Sequence, residues 1–158
     1  LAAALHDPAR GAVAMIGDGG LLMCLGELKT AVQMNANICI IVFNDGCLSL
    51  IDIKRQEHQM SDLGLSWDRP NFALVAQGFG CKSWRAANTD ELNIACIEAA
   101  SQSGTRLIDA QIDPSGYLNQ GFPKVWHRFP TNRDSRENFG KVWKSYLFQA
   151  FPKSHLCT

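Results

Sequence analysis

Residues 12–46 read AVAMIGDGGLLMCLGELKTAVQMNANICIIVFNDG, and the fold turns on how this stretch is read. AVAMIG (12–17) is a continuous apolar run of strand length. From Leu21 to Met34 the apolar residues Leu21, Leu22, Leu25, Leu28, Ala31 and Val32 recur at helical spacing and predict a helix. ICIIVF (38–43) is a second apolar run, rich in β-branched residues. Strand, helix and strand in this order predict two parallel strands joined by a crossover.

The alternation continues outward. LSLIDI (48–53) predicts a short helix or an extended loop, and a polar stretch follows to Arg69-Pro70. Phe72 to Gln77 predicts a helix stopped by Gly78, and CKSWRA (81–86) a third strand. Asp90 to Ser101 predicts a helix capped at Thr89 or Asn88 and ended near Gly104. RLIDAQI (106–112) is a fourth strand, closed by Pro114 and Gly116. Continuous apolar strands alternating with helices predict an α/β fold: a doubly wound, mostly parallel sheet with helices on both faces.

The chain has 158 residues, 46% hydrophobic, enough to bury a core without disulfides or metals. Fifteen basic and fifteen acidic residues cancel, which disfavours nucleic acid and anionic membranes as main partners. No apolar run approaches the roughly 20 residues of a membrane span, and no signal peptide is visible. The chain does not begin with Met, so a longer parent is expected. Six cysteines (24, 39, 47, 81, 96 and 157) form no CxxC pair and sit mostly in apolar runs. They predict reduced, buried thiols in an intracellular, cytoplasmic protein and no zinc site. Residues 1–120 hold eight basic and thirteen acidic residues, whereas 121–158 hold seven and two. The neutral total therefore hides a boundary near Gly121 between a domain at 1–120 and a basic, aromatic tail at 121–158. In that tail Phe139, Trp143, Leu147 and Phe151 make one helical stripe, and a poorly ordered or unrelated extension is the plainer account.

The chemistry lies at two strand ends. Gly17-Asp18-Gly19-Gly20 closes the first strand where a helix is predicted to begin, a place where glycines let backbone approach an anion. A plain turn has the same sequence. The glycines match neither dinucleotide fingerprint nor P-loop: Leu22 stands where a glycine is needed, and no GK[ST] follows. Asp18 would repel a bare phosphate, so its presence makes sense with a divalent cation between them. Asn44-Asp45-Gly46 closes the second strand. With the two ends adjacent, the Asp18 carboxylate, the Asn44 amide oxygen and a carbonyl at Gly46 supply three oxygens of an octahedral Mg²⁺ site.

GDGGLLMCLGELKTAVQMNANICIIVFNDG (17–46) resembles the thiamine-diphosphate enzymes of the acetolactate synthase and 2-oxo acid decarboxylase group. FNDGCLSLI, RPNFALVAQGFG (69–80) and LIDAQIDPSGY (107–117) are similar to later segments of that family, in the same order. The resemblance covers about residues 1–120. It implies the C-terminal, diphosphate-binding domain, N-terminally truncated, with Asp18, Asn44 and the Gly46 carbonyl on Mg²⁺. It also implies Gly17, Gly19 and Gly20 at the diphosphate, with backbone help near Cys47 and Leu48. By the same resemblance the parent is a homodimer or homotetramer acting on a 2-oxo acid. The Glu that protonates the aminopyrimidine would lie in the N-terminal, pyrimidine-binding domain of a partner subunit, so no catalytic residue is assigned in this chain and the fragment is expected to be silent. Leu50 stands where some decarboxylases of the family place a catalytic Glu, which favours carboligation of the acetolactate synthase type. The alternatives are a non-oxidative 2-oxo acid decarboxylase, or a non-catalytic relative that keeps only the binding fold. Asp52 and His58 read as solvated loop residues, Glu27 as a structural acid, and Trp67 and Trp84 as core or interface filler.

Overall fold

A computed structural model describes residues 1–61 and 64–114. The sequence expectations for the tail at 121–158 lie outside the described residues. Four strands, β1 (Ala12–Gly17), β2 (Ile38–Asn44), β3 (Lys82–Ala86) and β4 (Thr105–Gln111), form one sheet in the order β1-β2-β4-β3. Every pairing is parallel. Among the described residues six helices accompany them: α1 (Ala2–His6), α2 (Asp18–Met23), α3 (Glu27–Gln33), α4 (Ser49–Glu57), α5 (Phe72–Phe79) and α6 (Thr89–Ala100).

Helices lie on both faces of the sheet. On one face Ile38, Ile40 and Val42 of β2 and Leu107 of β4 meet Leu21, Leu28, Ala31, Phe72 and Ala76 from α2, α3 and α5. On the other, Ile108, Cys39, Ile41 and Trp84 meet Ala95 and Ala99 of α6. Cover on the α6 side is incomplete: Val13 and Met15 of β1 are 69% and 45% exposed, against the expectation that each strand is buried on both faces.

Three elements differ from the sequence expectation. The helix expected over 21–34 is split into α2 and α3. Tight i→i−3 bonds at Cys24, Glu27, Leu28 and Lys29 join the two pieces around Gly26, the poorest helix former of the stretch. Leu22 consequently leaves the expected apolar face and is exposed. Helix α5 runs through Gly78 and stops at Gly80, whose φ of +93° places it in the left-handed region. There the Cys81 N–H reaches the Ala76 carbonyl and the Gly80 N–H reaches the Gln77 carbonyl, closing a Schellman turn. Residues 49–57 form a full helix, α4, although it buries no side chain.

At the amino ends of the strands Arg106 is buried. Its guanidinium donates to the Ala99 and Gln102 carbonyls at the end of α6 and to Asn37 Oδ1. Positive charge there complements the carboxyl end of a helix. No helix among the described residues is long and apolar enough to cross a membrane.

Candidate functional site

The carboxyl ends of β1 and β2 are neighbours because Gly17 pairs with Phe43, so the next positions, Asp18 at the start of α2 and Asn44 at the end of β2, lie at adjoining strand ends. Both side chains are buried, 2% and 0% exposed. A direct bond ties the two loops: Asp18 Oδ2 accepts the Gly46 N–H at 2.8 Å, while Oδ1 accepts the Gly19 N–H at 2.8 Å. Burial pushes the Asp18 carboxyl above its usual value, and the two N–H groups pull part of that shift back. A carboxylate has about four acceptor positions, so each oxygen keeps capacity for a cation.

Asn44 is held differently. Its Nδ2 donates to the Pro70 carbonyl at 2.9 Å and to Asp109 Oδ1 at 3.0 Å. Its Oδ1 is buried and has no hydrogen-bond partner among the described residues. Turning the amide over would set Oδ1 against two other oxygens, so the assignment follows from the neighbours. A buried amide oxygen without a donor costs about 1–3 kcal/mol, a cost a cation ligand would relieve.

Gly46 has φ +76°, and a Cβ there would stand 2.9 Å from both the Trp67 carbonyl and Arg69 Cγ. Its own carbonyl accepts the Trp67 N–H at 2.9 Å, which leaves one lone pair on that oxygen. At Gly19 a Cβ would fall 2.5 Å from Leu48 Cδ2 and 3.5 Å from the Trp67 ring, so only a glycine lets Leu48 pack this close to the backbone. Gly20 packs on Ile16, and Gly17 faces open space. Several N–H groups expected to meet an anion bond within the chain: Gly19 to Asp18, Cys47 to Asp45 Oδ1, and Leu48 to the Leu65 carbonyl. The Trp67 indole Nε1 is buried with no partner among the described residues, which its reading as filler did not foresee.

Other residues fall away from this corner. Asp45 turns aside as strand alternation implies, taking the Cys47 N–H and the Ser49 hydroxyl at the start of α4. Asp52 is not in a loop but on α4, paired with Arg55 and Gln56; Arg55 holds its carboxyl below the usual value. His58 ends the same helix, and Leu50 on it is exposed. Glu27 opens α3, where an acid suits the helix dipole. Among the described residues no three His, Cys, Asp or Glu side chains converge on a metal-sized site. The candidate cation ligands here are one carboxylate, one amide and one carbonyl.

The family described as thiamine pyrophosphate enzyme, C-terminal TPP binding domain, matches residues 1–110. The chain belongs to this family. The TPP-binding domain has curated relatives named 3D-(3,5/4)-trihydroxycyclohexane-1,2-dione hydrolase. The one from Lacticaseibacillus casei is 32% identical over 151 residues, covering 90% of this chain and 23% of the relative. The one from Clostridium botulinum is 26% identical over 157 residues, covering 90% and 24%. The chain thus spans about a quarter of the length of these relatives. Alignments of that coverage reach past residue 120, so part of the segment expected to be unrelated is shared with them. Among solved structures, benzoylformate decarboxylase from Polynucleobacter necessarius superposes with a TM-score of 0.65 at 24% identity, covering 70% of this chain and 21% of that one. A thiamine diphosphate-dependent 4-hydroxybenzoylformate decarboxylase from Rhodococcus jostii gives 0.63 at 23% identity, covering 71% and 22%. At these identities the two structures establish a shared fold.

Sequence reading missed Asp109. It is fully buried in β4, where its carboxylate meets Asn44, Gln111 and the Phe72 N–H. The signal was present: one acid inside the apolar run LIDA (107–110) of a strand expected to be buried.

Proposed function

We propose that this domain holds the diphosphate of thiamine diphosphate through Mg²⁺, with Asp18, Asn44 Oδ1 and the Gly46 carbonyl as protein ligands. The observation that carries the reading is that Asn44 Oδ1 is buried with no partner among the described residues, on the strand end next to the buried Asp18 carboxylate. Three oxygen donors of mixed charge suit a hard cation that keeps its remaining positions for phosphate oxygens and water. The open space at Gly17 leaves room for the anion, with Gly19, Gly20 and the loop at Cys47 and Leu48 as its wall. Bound thiamine diphosphate supplies a nucleophilic carbon and a ring that accepts an electron pair. This chain's part is to anchor the cofactor and to keep its diphosphate charge balanced.

The whole enzyme, on this reading, acts on a carbonyl beside a second carbonyl or carboxylate. A 1,2-dione and a benzoylformate, the compounds in the relatives' names, share that feature. Decarboxylation followed by carboligation, as in acetolactate synthases, is the narrower form of the same proposal. A partner subunit's pyrimidine-binding domain in a cytoplasmic homo-oligomer would complete the site.

Calorimetric titration of the chain with thiamine diphosphate, with and without Mg²⁺, tests the anchor. Binding is expected only with the cation, and Asp18→Ala should abolish it. Cation-independent affinity in the wild type, or unchanged affinity in the variant, overturns the assignment.

A further inference from the structure

We propose that Asp109 is the positioning residue of this cation site: its carboxylate clamps the Asn44 amide so that Oδ1 is presented to the metal. The inference rests on the anchor assigned above and adds a residue behind it. Asp109 lies on β4 opposite Val42, and its neighbour two residues on, Gln111, is opposite Asn44. The carboxylate is 0% exposed and sits beneath the start of α5. Oδ1 accepts from Asn44 Nδ2 at 3.0 Å and from Gln111 Nε2 at 2.9 Å; Oδ2 accepts from the Phe72 N–H at 3.1 Å. The Arg85 guanidinium approaches to 3.9 Å, half-exposed, and supplies an opposite charge.

Burying a carboxylate costs several kcal/mol, and a residue serving packing alone would be apolar, as Leu107 and Ile108 are. What the acid accomplishes is legible in its partner. Both hydrogens of the Asn44 amide are engaged, one by the Pro70 carbonyl and one by Asp109, so the amide plane is locked and Oδ1 is the amide atom without a partner among the described residues. A negative charge accepting from the nitrogen side also drives electron density toward Oδ1, strengthening it as a ligand. Outer groups orient and tune metal ligands in this way.

The test uses Mn²⁺ as the probe. The signal of free Mn²⁺ in electron paramagnetic resonance reports cation binding to the chain in the presence of thiamine diphosphate. For Asp109→Asn, the half-saturating Mn²⁺ concentration should rise about ten- to a hundredfold, the usual effect of losing such an outer partner. Thiamine diphosphate affinity at saturating Mn²⁺ should stay at the wild-type value. A merely structural role would weaken both together, and that result, or an unchanged Mn²⁺ requirement, overturns the proposal while leaving the anchor standing. Failure of the wild type to take up Mn²⁺ with the cofactor overturns both. A measurement on the wild type covers the case of a variant that does not fold. The Asn44 side-chain amide hydrogens should exchange with solvent far more slowly than those of exposed Asn93, and equal rates sink the clamp.

Discussion

Gly46→Ala probes the joint between the two loops, and its cost follows from geometry. At φ +76° an alanine pays about 1–2 kcal/mol for the left-handed backbone. The new Cβ would also stand 2.9 Å from the Trp67 carbonyl, a backbone atom rather than a flexible side-chain end. Overpacking of that kind costs about 1–3 kcal/mol. The sum is about 2–5 kcal/mol, a large part of a typical domain's 5–15 kcal/mol. Relief by backbone movement would pull the Gly46 N–H away from Asp18, so the strain cannot be shed without loosening the site. Gly104→Ala is the control: its φ is +87° but nothing lies within 4 Å of its Cβ position, so it carries the backbone cost alone. Urea unfolding of the three proteins separates the two contributions. If Gly46→Ala costs no more than Gly104→Ala, the steric argument is refuted.

Other outcomes follow from single observations. Gly78 lies inside α5, exposed and with open space around its Cβ position, so Gly78→Ala should raise stability by about 1 kcal/mol and lift the melting temperature. Asn88 caps α6 by accepting the Glu91 N–H, and Glu91 reaches back to the Ala87 N–H; Asn88→Ala should cost about 1 kcal/mol in the same denaturant assay. Arg106→Met removes the charged donors to Ala99, Gln102 and Asn37, and should destabilise the fold by about 2–3 kcal/mol in thermal unfolding. Burial pushes the Cys39, Cys81 and Cys96 thiols up, which lowers their thiolate fraction at any pH below the raised value. Iodoacetamide at pH 8 should therefore modify exposed Cys24 ahead of those three, as read by mass spectrometry of the native chain.

Local chemistry was enough to place the strands. β1 and β2 are short apolar runs bounded by turn residues, β3 and β4 carry apolar residues among polar ones, and the residues 12–17 expected from the pattern are those of β1. Asp18 and Asn44, both buried at the strand ends, stand out in the sequence as a carboxylate among glycines and an amide after an apolar strand. Helix ends were less so. Gly78 and Gly80 look alike in sequence, and only the left-handed turn, with Cys81 reaching back to Ala76, tells which of them terminates α5.

Sequence alone therefore determined the α/β alternation and singled out the two strand ends proposed as the cofactor anchor, because periodicity and glycine placement are properties of neighbours along the chain. Tertiary structure decided the rest: that β4 enters between β2 and β3, that Asp109 comes to lie against Asn44, and that the Asn44 oxygen has no donor among the described residues. Those facts depend on strand order and register between residues 65 positions apart, which no local pattern encodes.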